Sequence, residues 1–262
     1  MILTIDIGNT TIGIAGAVRE DSGEFRLCFT GKLETNRDWT VGEYAPQFRK
    51  VLESCGAQPE DFSGAALSSV VPPVQKAIED CVRTILGVEP VCISCKSNLG
   101  IRLDVDYPEK LGCDRLVDSA WAAAKYPLPA VTVDMGTATT LNVITADKRM
   151  CGGVIAPGLL TGLRALSSGT AQLPDVELKV PEHIIGRNTS DCMLSGAVAG
   201  TAAMLDGIVV GIEEELGEPV TLLLTGGGAE FVRPLVKHPH RYDPDFIFKG
   251  LAYLYHRNRK AI

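Results

Sequence analysis

Residues 5–12 read I-D-I-G-N-T-T-I, and residues 133–140 read V-D-M-G-T-A-T-T. An offset of 128 matches Asp6 to Asp134, Gly8 to Gly136 and Thr11 to Thr139. That offset is about half of the 262-residue chain, and self-similarity at half length reads as a duplication. In each copy an apolar strand ends in D-x-G and leads into a second β-prone run, residues 11–18 or 139–146. Runs of Thr, Val and Ile joined by a Gly-containing turn predict hairpins. A third strand follows in each half, at 24–31 and 149–155. The first half then predicts a helix over 41–54, a buried strand over 64–70 stopped by Pro72 and Pro73, and a helix over 74–86. The second half predicts a helix over 158–166, a long small-residue helix over 190–216, a strand over 220–225 and a helix after G-G-G. Repeated β-β-β-α-β-α units predict an α/β protein with mixed sheets flanked by helices. Pro127 and Pro129 precede the second D-x-G strand, so the halves are expected at 1–127 and 128–262.

Composition narrows the function. With 45% hydrophobic residues a chain this long can build a core without staples. There are 32 acidic against 25 basic residues, a net charge of -7, which offers no footprint for a nucleic-acid backbone. The basic run Arg257, Arg259 and Lys260 reads as a solvated helix end. The opening M-I-L-T-I-D lacks the features of a signal peptide, and Asp206 interrupts the most apolar window, 197–212, so no membrane span and a cytoplasmic protein are expected. The eight cysteines include one C-x-x-C, Cys92 and Cys95, with no second pair at zinc spacing; buried, reduced thiols are expected. His183, His238, His240 and His256 are scattered, and none is a catalytic candidate.

Three glycine turns end apolar strands: D-I-G-N-T-T at 6–11, D-M-G-T-A-T-T at 134–140, and T-G-G-G at 225–228. Without a Cβ, backbone N–H groups can converge on an anion such as phosphate. Two such cradles with an aspartate beside each suggest a nucleotide and its metal. Asp6 is a hard oxygen ligand suited to magnesium, directly or through water. Neither G-x-x-x-x-G-K-S/T nor G-x-G-x-x-G after a strand is present, so a P-loop and a dinucleotide fold are excluded.

The paired D-x-G hairpins with a later G-G-G turn resemble the superfamily of acetate and sugar kinases, heat-shock chaperones and actin. A more specific run is similar to type III pantothenate kinase: D-I-G-N-T-T at 6–11, S-S-V-V-P at 68–72, Y-P-E-K-L-G-C-D-R at 107–115, D-M-G-T-A-T-T at 134–140, G-G-V-I-A-P-G at 152–158 and T-G-G-G-A at 225–229. The resemblance covers nearly the whole chain in order. It implies duplicated ribonuclease H-like (actin-like ATPase) halves with five-stranded mixed sheets. It further implies ATP-dependent phosphorylation of pantothenate to 4'-phosphopantothenate, the first step toward coenzyme A, by a homodimer needing Mg2+ and a monovalent cation, K+ or NH4+.

Carried onto this sequence, the resemblance gives ATP the stretch Asp6, Ile7, Gly8, Asn9, Thr10, Thr11, Ile12 and Gly13, together with Thr137, Gly226, Gly227 and Gly228. Pantothenate falls to Tyr107, Gly112, Cys113, Asp114, Arg115 and, across the dimer, Thr189. Asp114 becomes the base or orienter of the substrate hydroxyl, and Asp134 the monovalent-cation ligand. Read without the resemblance, Asp114 sits in a loop where an ion pair with Arg115 would explain it, Tyr107 packs, and Thr189 caps a helix. The small residues of 195–203 suit either a dimer interface or an intramolecular helix crossing. Asn142 departs from the family pattern, which often has Asp there, so cation coordination could differ. Two other functions stand beside the kinase: a non-catalytic regulator resembling Bvg accessory factor, and a kinase of another small alcohol.

Overall fold

The computed structural model describes residues 1–170 and 172–259, which form two compact units. The first holds residues 1–124 and 245–259, and the second Lys125–Pro244. Lys260, at the end of the basic run, lies outside the described residues.

In the first unit, β1 (Ile2–Ile7), β2 (Thr11–Arg19) and β3 (Phe25–Glu34) form an antiparallel meander, followed by α1 (Val41–Ser54), β4 (Gly64–Ser69), α2 (Pro72–Leu86), β5 (Pro90–Cys92), the short β6 (Arg102–Leu103) and α3 (Cys113–Lys125). The sheet order is β3-β2-β1-β4-β5, with β4 parallel to both β1 and β5. Strand alternation sorts side chains to two faces. Leu3, Ile5, Ile7, Ile12 and Ile14 join Phe48 and Leu52 of α1 and Val74 and Ile78 of α2 in one buried cluster.

The second unit repeats the plan with β7 (Ala130–Met135), β8 (Ala138–Ile144), β9 (Arg149–Pro157), α4 (Leu159–Gly169), α5 (Thr189–Leu194), a π-helical turn (Ser195–Ala199), α6 (Gly200–Leu216), β10 (Thr221–Thr225), α7 (Ala229–Val232) and β11 (His240–Tyr242). Its own strands run β11-β10-β7-β8-β9, with β7-β8-β9 antiparallel and β7-β10-β11 parallel, the same order and directions as in the first unit. The repeat has one slip. Ile7 pairs with Ile12, whereas Met135 pairs with Thr139, so the second turn is a residue shorter and Thr11 corresponds in the fold to Ala138, not Thr139.

The last helix, α8 (Phe246–Asn258), packs on β1 to β4 of the first unit, so the expected division at 127/128 with the tail in the second half differs from the structure. Its reason is local. Gly13, between Ile12 and Ile14 and therefore on the opposite sheet face, would carry a Cβ 2.8 Å from Phe248 Cζ, and Leu251 and Leu254 are fully buried. Gly250 meets Val117 Cγ1 of α3 in the same way, at 2.7 Å.

Other expectations need correction. Residues 113–125 are helix, where Pro108 and Gly112 predict a loop around Asp114. The predicted helix over 190–216 is interrupted by the π turn. Thr189–Leu216 is long and apolar enough to cross a membrane by length and composition. Asp206 in that stretch is not stranded, since it accepts the backbone N–H of Lys237 and of His238, each at 3.0 Å. All eight cysteines are free, but only Cys81 is fully buried; Cys28, Cys151 and Cys192 are exposed.

Candidate active site

Asp6 stands at the carboxyl end of β1, between Ile5 and Ile7, both fully buried. Its register partner on β4 is Ser68, whose hydroxyl donates to Asp6 Oδ1. Burial is the main force on this carboxyl and lifts its pKa to about 6; Ser68 opposes the rise, and the Asp114 carboxylate adds to it. The backbone N–H of Val70 closes the strand end by donating to Ile7 O at 3.1 Å.

Asp114 is the second residue of α3 and therefore belongs to a helix, not a loop. Burial raises its pKa, while the N–H of Arg115, donated to Oδ1 at 2.8 Å, and the Arg115 guanidinium pull it back. Arg115 is half-buried, and burial lowers its own pKa. A Cβ at Gly112 would overlap Asp114 Oδ1, so glycine there leaves the carboxylate its room. The Cys113 thiol donates to Ile93 O at 3.2 Å and is pushed upward in pKa, chiefly by burial and secondarily by charges that include Asp114 and Asp6. The first unit therefore gathers Asp6, Gly112, Cys113, Asp114 and Arg115. Tyr107, by contrast, is 60% exposed with Lys110 Nζ 4.5 Å from its ring, so it does not pack into a core.

Between β1 and β2 the turn is closed by the N–H of Gly8 donating to Thr11 O at 3.0 Å, and Asn9, Thr10 and Thr11 are exposed. Ile7 and Ile12 are fully buried, so only their backbones can reach a ligand, and Gly13 is taken up by packing beneath Phe248. A segment the sequence reading passed over lies across this turn. Thr35 donates its N–H to Thr10 O at 3.1 Å and its hydroxyl to Gly8 O at 2.7 Å, and Arg37 Nη2 donates to Asn9 Oδ1 at 3.0 Å. Among the described residues no group of three or more His, Cys, Asp or Glu could hold a metal ion. Magnesium takes one or two carboxylates and draws its other ligands from phosphates and water. Asp6, desolvated beside a second carboxylate, fits such an ion.

In the second unit Asp134 occupies the place of Asp6 and pairs in register with Thr225 at the end of β10. Gly226 follows in a left-handed conformation, φ +85°, and a Cβ there would overlap the Asp134 carboxylate and the Met135 backbone. Gly228 donates its N–H to Met135 O at 2.8 Å, while the Cβ position of Gly227 faces open space. Thr137 is exposed in the shorter turn, and the start of α4 seals it: Gly158 N–H and the Thr161 hydroxyl donate to Thr137 O at 3.2 and 2.7 Å. Asn142 lies two pairs along the ladder from Asp134, on the same face, fully buried, with its amide donated to Thr132 Oγ1 at 3.1 Å. Thr189 is the exposed first residue of α5, and the cap is Asn188, whose Oδ1 accepts the N–H of Asp191 at 2.9 Å.

A family model described as type III pantothenate kinase matches residues 2–210. The type III pantothenate kinase of Roseiflexus sp. is 37% identical over 99% of this chain and 100% of its own, and that of Exiguobacterium sibiricum is 38% identical over the same shares. Among solved structures, a putative Baf family transcriptional activator from Campylobacter jejuni has a TM-score of 0.60 at 18% identity, covering 97% of both chains. The activator of the 2-hydroxyisocaproyl-CoA dehydratase from Clostridium difficile, with bound ADPNP, has a TM-score of 0.52 at 12% identity, covering 97% of this chain and 93% of its own. At these identities the structural likeness shows the fold alone, an α/β plan of mixed sheets flanked by helices.

Proposed function

The chain belongs to the type III pantothenate kinase family and phosphorylates pantothenate with ATP at the head of coenzyme A synthesis, and we propose how its residues divide that work. The primary hydroxyl of pantothenate attacks the terminal phosphorus of ATP; the bond from that phosphorus to the bridging oxygen breaks and ADP leaves. Phosphoryl transfer has a loose transition state, so positioning and charge neutralisation do most of the work. Asp114 accepts and orients the hydroxyl proton, a task set by geometry more than by bulk basicity. Arg115 offers a planar fork to the substrate carboxylate or the moving phosphoryl group, with Gly112, Cys113 and Tyr107 completing the pantothenate contacts.

Residues 6–13 seat the phosphates, chiefly through the exposed turn Gly8–Thr11. Asp6 holds Mg2+, directly or through water, and the ion, when bound, neutralises charge on the phosphates. Thr137 and Gly226–Gly228 contact the nucleotide, with Gly227 the residue where open space leaves room for it. Asp134 binds the monovalent cation, K+ or NH4+. The supporting observation is the pair of desolvated carboxylates on one unit, Asp6 and Asp114, of which the first is raised partly by the second.

Homodimerisation belongs to the same reading. Gly196, Gly200, Ala203, Gly207 and Gly211 are exposed along the helical stretch ending at Leu216, where small side chains permit a second helix to approach closely. Thr189, exposed at the start of that stretch, then serves the substrate site of the partner. We place the enzyme in the cytoplasm.

The test is a coupled assay for ADP release with ATP, Mg2+ and K+, run on pantothenate beside a panel of other small primary alcohols. Turnover confined to pantothenate is expected; equal turnover across the panel would overturn the substrate assignment.

A further inference from the structure

We infer that Arg37 is a phosphate-binding residue of this kinase, held in place by Asn9, so that the segment after β3 is a working part of the ATP site. The inference rests on the reading of residues 6–13 as the phosphate seat.

Its starting point is a charge without a carboxylate. Arg37 is exposed, its guanidinium donates to Asn9 Oδ1 at 3.0 Å, and among the described residues it forms no ion pair. A solvated arginine normally trails free, because tethering so long a side chain costs rotamer entropy. Here the backbone beneath it is built to deliver it. Thr35 anchors the segment to the turn through Thr10 O and Gly8 O. One residue on, Asn36 is gripped by the fully buried Tyr44, whose hydroxyl accepts the N–H of Asn36 at 2.9 Å and donates to its carbonyl at 2.7 Å. Asn36 Oδ1 in turn accepts the N–H of Asp38 at 3.0 Å, and the Thr40–Glu43 capping box starts α1 immediately after. Arg37 is thus the free-standing side chain of a segment clamped on both sides.

What it meets is equally specific. Asn9 forms the tip of the phosphate turn, and among the described residues its N–H donates to no backbone carbonyl. A free N–H with a guanidinium beside it is an anion seat of two donor kinds, backbone and charged fork. The guanidinium has five N–H donors and Asn9 takes one, which leaves a fork for two phosphate oxygens. Asn9 is then a positioning residue for Arg37.

The full-length protein tests this by calorimetric binding of MgATP, adenosine and pantothenate to R37M, R37K, N9A and D6N, with steady-state kinetics alongside. Loss of the charge in R37M is expected to weaken MgATP binding and raise its KM roughly 10- to 100-fold, the span of a charge-assisted hydrogen bond. Adenosine and pantothenate affinities should stay near wild type, R37K should recover part of the loss, and N9A should reproduce a smaller share of it. A merely structural role would weaken adenosine or pantothenate as much as ATP, and that result overturns the proposal. So does an R37M affinity within about twofold of wild type while D6N is impaired; that outcome leaves the phosphate seat standing and removes Arg37 from it. If neither D6N nor R37M alters MgATP binding, the seat itself is misplaced and both readings fall.

Discussion

Asp6 and Asp114 are both desolvated, yet they need opposite things from it. In the proposed mechanism Asp114 holds a proton briefly, and a raised pKa suits that role. Asp114→Asn keeps an oxygen for the N–H of Arg115 and should fold normally, but turnover is expected to drop by about 10²- to 10⁴-fold, the usual contribution of proton transfer. MgATP affinity should survive; near-normal turnover would remove Asp114 from the role. Asp6, in contrast, would have to be charged to hold the proposed Mg2+, and its burial opposes that charge. Its folded pKa, about 6, exceeds the unfolded value of 3.8, so the native state binds more protons across that window. Stability from this group is present below the unfolded pKa and lost as pH rises through the folded one. That gap corresponds to roughly 3 kcal/mol, so Asp6→Asn should stabilise the protein near pH 7.5 by about 3 kcal/mol and by almost nothing below about pH 3. Thermal melts across that range read the difference, and a pH-independent gap would refute its cause. Asp6 was legible because it ends an apolar strand two residues before a glycine, whereas Asp114, in G-C-D-R, was legible only through the family resemblance. Ser68 and Arg37 were not: their significance comes from register with Asp6 and from a strap whose anchor, Tyr44, lies in the next helix.

At the scale of elements, strands and amphipathic helices matched their periodicity closely, α1 to the residue. Helix α3 escaped because Leu116 to Ala123 are all buried, Asp118 and Ser119 included, so no polar stripe marks the period, and Pro108 and Gly112 suggest a loop just before it. Helix α8 reads plainly as a helix, but its partner strands lie some 200 residues away, and nothing local says which unit it joins. Leu251→Ala should therefore destabilise the first unit by about 2–5 kcal/mol. Both tryptophans, Trp39 and Trp121, lie in that unit, so their fluorescence reports it selectively, and an unmoved midpoint would contradict the packing of α8. The turn after β7 carries a separate expectation. If Asp134 and its supporting Gly226 hold a monovalent cation, exchanging K+ for Na+ should depress ATP turnover, and Gly226→Ala should raise the K+ concentration needed, since a Cβ there displaces the carboxylate. Identical rates in both salts would exclude the site.

For the whole molecule, the duplicated sheet was visible in one repeated octapeptide, while the proposed association rests in the sequence on a run of small residues that suited an interface and an internal crossing equally well. The structure separates the two sides of that helical stretch. Ala202, Leu205, Val209 and Ile212 are buried within the second unit, whereas Gly196, Gly200, Ala203, Gly207 and Gly211 face outward beside the half-exposed Val210. The internal packing is thus made by the larger residues, and the outward glycines are the surface that the proposed dimer would use. A glycine stripe gains little from burial of its own side chains, so its value lies in letting backbones approach, and one long charged side chain should suffice to prevent that. Gly207→Glu is expected to convert a dimer of 28.0-kDa chains to monomers in sedimentation, with little change in the melting of either unit, because nothing lies within 4 Å of that Cβ position. Because Thr189 is assigned to the substrate site of the partner, the monomer should lose pantothenate affinity while retaining MgATP binding. A wild-type protein that sediments as a monomer would overturn the dimer outright. A Gly207→Glu dimer with unaltered pantothenate affinity would move the interface off this stripe.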